Sequence, residues 1–135
     1  MPIDHEIIND GQMVICRATG HLVGQDLADH MFWLINQLGS TLNPDYHQIF
    51  DAMDAGKVDI NEEDMKRISQ IMLTYGQSRG KIATALVAVR PDVRKLAYYY
   101  KSLAELTEIT VEVFADRLEA EEWLASLRDA RAGQY

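Results

Sequence analysis

The stretch Ile3-Asp4-His5-Glu6-Ile7-Ile8-Asn9-Asp10-Gly11-Gln12-Met13-Val14-Ile15-Cys16-Arg17-Ala18-Thr19 decides the fold. Two short β-prone runs, 3–9 and 13–19, flank Asp10-Gly11. Glycine accepts positive φ at no steric cost, so Asp-Gly between apolar runs predicts a tight hairpin turn. The chain therefore opens with two antiparallel strands, and Gly20 ends the second. A doubly wound sheet needs a helix after its first strand, and this hairpin leaves no room for one.

Downstream of the hairpin, helical and strand periods alternate. Leu27, Met31, Leu34 and Leu38 recur at i, i+4, i+7 and i+11, which predicts a helix over 25–38. Residues 46–53 form the third strand, which Asp54-Ala55-Gly56-Lys57 breaks. Asn61 caps a second helix with core face Met65, Ile68, Met72 and Tyr75, and Gly76 stops it. Residues 82–89 are almost all apolar without alternation, as expected of a strand covered on both faces. Arg90-Pro91-Asp92 opens a third helix with stripe Val93, Leu96, Ala97, Tyr100, Leu103 and Ala104. Residues 109–114 are the fifth strand. Asp116 caps the last helix, whose inner face is Ala120, Trp123, Leu124 and Leu127.

The order is β-β-α-β-α-β-α-β-α. Helix-containing crossovers make parallel neighbours. The expected fold is α/β: four helices on a mixed five-stranded sheet with one antiparallel strand, the first. At 135 residues the chain fits one domain, expected over 1–128, with a polar tail at 129–135.

Composition narrows the function classes. Thirteen basic against twenty-one acidic residues give a formal charge of −8, which repels nucleic acid. The small basic groups at Arg90–Lys95 (Arg90, Arg94 and Lys95) and Arg79–Lys81 (Arg79 and Lys81) lack the interleaved aromatics of a single-strand binder. No run approaches the roughly 20 apolar residues of a membrane span. The N-terminus has neither a basic nor an apolar leader region, so a cytoplasmic location is expected. That suits a single cysteine, Cys16.

The hairpin through Gly20, the strand Ile49-Phe50-Asp51 and the apolar strand 83–89 resemble the STAS domain of sulfate transporters and anti-anti-sigma factors. The closing segment 111–124, a strand, a capped turn and a helix ending in Trp123-Leu124, adds to this. The chain is most similar to small bacterial stand-alone SpoIIAA-like, or STAS/SEC14-like, proteins. The resemblance implies a SpoIIAA-like fold and a binding or regulatory role. Regulatory members carry a phosphorylatable Ser or Thr at the start of the second helix. The matching stretch here, 54–64, holds no Ser, Thr or Tyr, so that switch is not expected.

Few residues point to chemistry. Gly76-Gln77-Ser78-Arg79-Gly80-Lys81 is one residue short of a P-loop and leads into a strand, so it reads as a connecting loop. Asp51, Asp54 and Asp59 read as a solvated acidic group, without metal-loop spacing. His5, His21, His30 and His47 show no zinc-helix spacing. Cys16 shares a strand face with Val14 and Ala18 and reads as packing. Neither a metal nor a cofactor is therefore expected. His21, Asp54 and Arg90 fall at the carboxyl ends of strands, where open α/β sheets bind ligands. They are the candidate ligand-binding residues. No nucleophile stands beside them in a recognisable pattern, so an enzyme using this rim ranks last. Phe32 and Trp33 lie beside the first helix's stripe, and Tyr98 and Tyr99 point away from the third helix's stripe. These four are candidate interface residues.

Two functions are carried forward. The first is a non-enzymatic binding or regulatory module that contacts a protein partner or a second copy of itself. The alternative is a small-molecule or lipid carrier with an apolar pocket between helices and sheet, bordered by Phe32, Trp33, Ile35, Met65 and Met72.

Overall fold

The computed structural model describes residues 2–132. A five-stranded sheet has the order β1-β2-β4-β6-β7, formed by β1 (Ile3–Ile8), β2 (Met13–Ala18), β4 (His47–Asp51), β6 (Ala83–Val87) and β7 (Thr110–Phe114). Only β1 runs antiparallel to its neighbour, as the hairpin requires. The helices are α1 (Gly24–Gln37), α2 (Glu62–Arg79), α3 (Pro91–Ala104) and α4 (Arg117–Ala132). The expected mixed sheet and four helices are present.

The turn holds three successive positive-φ residues, Asn9, Asp10 and Gly11, and Gln12 N–H closes it on the Asn9 carbonyl at 3.1 Å. A Cβ on Gly11 would overlap the Thr41 carbonyl oxygen, so glycine serves there for both conformation and close approach.

Period-2 alternation divides each strand between two cores. Val14, Cys16 and Ala18 of β2 face α1 and α2, in a core with Met31, Leu34, Met65, Ile68 and Met72. Ile49 of β4 and Ala83, Ala85 and Val87 of β6 face α4, against Ala120 and Leu124. The small residues of β6 let α4 lie close to the sheet.

The structure corrects several sequence expectations. A second, two-stranded parallel sheet joins β3 (Gly20–Val23) to β5 (Ala55–Asp59). Residues read as a strand end and a chain break are thus a ribbon of their own. Gly76 does not end α2: the helix runs to Arg79, and Gly80 at φ 81° is the stop. The backbone N–H of Lys81 then donates to Asp45 Oδ1. On α2, Ile71 takes the buried place expected of Tyr75, and Tyr75 lies edge-on against Phe32. The last helix, α4, runs on to Ala132. Residues 133–135 lie outside those described.

The capping expectations hold. Asn61 Oδ1 accepts from the Asp64 N–H at 2.9 Å, and Asp64 Oδ2 accepts from the Asn61 N–H at 3.0 Å. This reciprocal pair satisfies two donors at the start of α2. Asp116 Oδ1 accepts from the Glu119 N–H at 2.8 Å and starts α4.

Candidate functional site

A cavity of about 100 Å³ lies between the sheet and the three helices α1, α2 and α3. Its floor is Gln48 and Phe50 of β4 with Thr84 and Leu86 of β6. One wall is Leu27, His30, Met31 and Leu34 of α1. The opposite wall is Val93, Leu96, Ala97 and Tyr100 of α3. Met65 and Ile68 come from α2. The β3–β5 ribbon supplies Leu22 and Val58, with Ile60 just beyond it.

The cavity explains an oddity of the α3 stripe. Val93, Leu96 and Tyr100 have the spacing of a buried face but are only half-buried. They face the cavity instead of packing directly on the sheet. None of the lining residues carries a formal charge. The hydrogen-bonding groups are His30, Gln48, Thr84 and Tyr100. His30, Gln48 and Thr84 are buried, at 6%, 4% and 2% exposure.

A polar chain runs from this floor toward β1. The register places His5 directly opposite Cys16 and Cys16 beside Phe50, all on the face that α1 covers. The Gln48 side-chain amide donates to Cys16 Sγ at 3.7 Å and to His30 Nε2 at 3.1 Å. An amide nitrogen only donates, so this network assigns His30 the Nδ1–H tautomer. His30 Nδ1–H then donates to His5 Nε2 at 2.8 Å. Trp33 stacks on the His5 ring at 3.9 Å between centroids. Burial disfavours the charged imidazolium and lowers the His5 pKa, against a smaller opposing pull from Asp4. Burial likewise pushes the Cys16 thiol up to about 12, and the Gln48 contact offsets only part of that. Cys16 is therefore a thiol in the isolated fold, not a nucleophile.

Two of the three rim residues, His21 and Arg90, pair with other groups. His21 Nε2 meets Asp59 Oδ2 at 2.6 Å across the β3–β5 ribbon. The His21 contact, followed by the nearby Lys57 charge, holds the Asp59 carboxyl below its usual range. Arg90 forms a two-pronged pair with Asp92, at 2.9 and 2.8 Å, and donates to the Ala55 carbonyl at 3.0 Å. Asp54 sits in the turn between β4 and β5. Among the described residues, no hydrogen bond joins any two of His21, Asp54 and Arg90.

The off-stripe aromatics divide into two groups. Trp33 covers His5, and Phe32 meets Tyr75. Tyr98 and Tyr99 remain 48% and 46% exposed, with Arg94 donating to the Tyr98 hydroxyl at 3.0 Å. Of the residues expected to border a pocket, Met65 lines this one, whereas Phe32, Trp33, Ile35 and Met72 do not. His30 and Gln48 were missed as site residues. A histidine four residues before Leu34 on an apolar helix face is a readable signal of a buried polar position. What it meets there depends on how the helix sits on the sheet.

Among the described residues, no helix is long and apolar enough to cross a membrane. No family model matches the chain, and a search of curated proteins gives no significant match. Solved structures do resemble it. One is an uncharacterized protein of the DUF3478 family with a SpoIIAA-like fold from Shewanella loihica PV-4. It matches at a TM-score of 0.61 and 16% identity, over 90% of this chain and 93% of that one. Another is an anti-sigma factor antagonist from Mycobacterium paratuberculosis, at a TM-score of 0.51 and 10% identity, over 93% and 94%. At these identities the likeness speaks to architecture: the chain has the SpoIIAA-like fold of STAS domains.

Proposed function

We propose that this protein is a non-enzymatic binding module that holds a small, largely apolar, uncharged molecule between its sheet and helices α1 and α3. The observation that carries this reading is the cavity itself: an uncharged lining with a few buried hydrogen-bonding groups on its floor. Such a lining accepts apolar surface and orients one polar group. An ionised ligand would lose its hydration with no counter-charge in the lining. An apolar cavity of roughly 150 Å³ accepts a benzene ring. At about 100 Å³ the space here takes a short acyl or alkyl segment as it stands, and a six-membered ring where the half-buried Val93, Leu96 and Tyr100 side chains give way. The reading places the protein in the cytoplasm, where a buried lone thiol stays reduced.

Native mass spectrometry of the purified protein, followed by thermal shift with uncharged aromatic and alkyl alcohols, tests the proposal. Wild type is expected to retain or be stabilised by such a molecule, and Ala97→Phe, which fills the cavity, is expected to lose that response. No retained species and no stabilisation of wild type would retire the reading.

A second reading is contact with a protein through α3. Exposed Tyr98 and Tyr99 favour it, and a structural neighbour is described as an anti-sigma factor antagonist. Light scattering at micromolar concentration tests self-association. A monomer for both wild type and Tyr99→Ala counts against the self-association form of this reading.

A further inference from the structure

A second site lies on the far side of His30 from the cavity. The hairpin register sets His5 and Cys16 side by side, and α1 lowers His30 onto them. One ring nitrogen of each histidine and the Cys16 sulfur all lie within 4.8 Å of one another. Cys16 is fully buried, and His30 is 6% exposed. A shallow pocket lined by His5, His30, Trp33, Asp26 and Asp29 leads to the two rings from outside. Its two carboxylates favour the approach of a cation.

We propose that His5, Cys16 and His30 form a binding site for monovalent copper. The ligand set decides the ion. One thiolate and two neutral imidazoles around Cu⁺ sum to zero charge, the arrangement least penalised in a buried site. Thiolate is a soft ligand suited to Cu⁺ and Zn²⁺. Structural zinc sites use four protein ligands, and three converge here.

The change needed is small. His5 Nε2 and His30 Nδ1 are 2.8 Å apart and share a proton. Two imidazole nitrogens on one ion, each at about 2.0 Å, stand about 3.4 Å apart. The ion takes the place of the shared proton, and the rings separate slightly. The protons balance: Cys16 releases one to solvent as its sulfur binds Cu⁺. The His30 proton moves from Nδ1 to Nε2. There the Gln48 amide, turned over, accepts it through Oε1 and orients the ring as an outer partner.

The test is an anaerobic titration of the reduced full-length protein with Cu⁺ against a chromophoric Cu⁺ chelator. Wild type is expected to withdraw one equivalent and develop ultraviolet thiolate-to-copper absorption. Cys16→Ser, nearly isosteric, is expected to lose that absorption and bind at least tenfold more weakly. His5→Gln, which keeps a hydrogen-bonding side chain at this half-buried position, is expected to weaken binding while keeping the wild-type circular dichroism. Failure of wild type to withdraw copper, or binding unchanged in both variants, overturns the site. Displacement of Cu⁺ by an equal concentration of Zn²⁺ overturns the choice of ion. The cavity ligand plays no part in these readouts, so the two proposals fail separately.

Discussion

His5 on the edge strand and His30 on α1 meet through a 2.8 Å hydrogen bond between Nε2 and Nδ1, which ties β1 to the helix that covers the sheet. His30 is buried and also bonds Gln48. Replacing His30 with alanine leaves a buried amide donor and an imidazole acceptor without their partner. Each unsatisfied buried group costs about 1–3 kcal/mol. His30→Ala is expected to lower the unfolding free energy by an amount in this range or somewhat above it, read as a fall in the urea midpoint, since it also enlarges the cavity. An unchanged midpoint would show that the chain adds nothing to stability.

The same pair gives a pH dependence. Burial lowers the His5 pKa in the fold below its ordinary value of 6.5. The unfolded state therefore binds more protons just below that pH. The stability contributed by neutral His5 is fully present above pH 6.5 and declines as the pH falls toward the folded pKa. The groups facing the ring are His30, Asp4, and the Asp26 and Asp29 carboxylates of the adjoining pocket. Urea midpoints at pH 7.5 and 5.5 are expected to differ more for wild type than for His5→Gln. Equal differences would remove His5 from the account.

Cys16 is expected to resist alkylation. Its thiol is wholly buried and titrates at about 12, so the thiolate fraction at pH 7 is on the order of 10⁻⁵. Iodoacetamide labelling of the copper-free native protein should follow global unfolding and accelerate with urea. Rapid labelling in the absence of denaturant contradicts the placement.

How much of this was legible in the sequence depends on distance along the chain. The hairpin was legible because Asp10-Gly11 is a local signal. A turn centred there pairs residues whose numbers sum to 21, and Ile3 does pair with Ala18. The same arithmetic sets His5 opposite Cys16. His30 above them did not, because it depends on how α1 is rotated over the sheet. The β3–β5 ribbon was hidden for another reason. Each strand is short and bounded by breaker residues, and Gly20 pairs with Ala55 far along the chain. That ribbon supplies Leu22 and Val58 to the cavity wall, so missing it also hid the site.

The start of α2 rests on the reciprocal pair of Asn61 and Asp64. Asp64 also packs where a Cβ on Gly24 would fall, so the cap anchors the beginning of α1. Asn61→Ala is expected to cost about 1 kcal/mol in urea unfolding, and Asn61→Ser, which keeps a capping oxygen, much less. Equal losses in the two variants would assign the effect to something other than capping.

Thr84→Val separates the polar and apolar roles of the cavity floor. Thr84 is 2% exposed as the second residue of β6, and its side chain faces the cavity. Valine keeps the branched shape that suits a strand and removes only the hydroxyl. The fold is therefore expected to be unharmed or slightly stabilised. A ligand that hydrogen-bonds the hydroxyl loses a contact of about 1 kcal/mol, roughly a fivefold weakening. A ligand of the same outline without a polar group loses nothing. Cresol against toluene is a suitable pair, with binding read by thermal shift or calorimetry. Weaker cresol binding with unchanged toluene binding places the ligand's polar group against Thr84. Parallel losses for both would mean that the substitution reshaped the cavity, and no loss for either would move the polar group to His30, Gln48 or Tyr100.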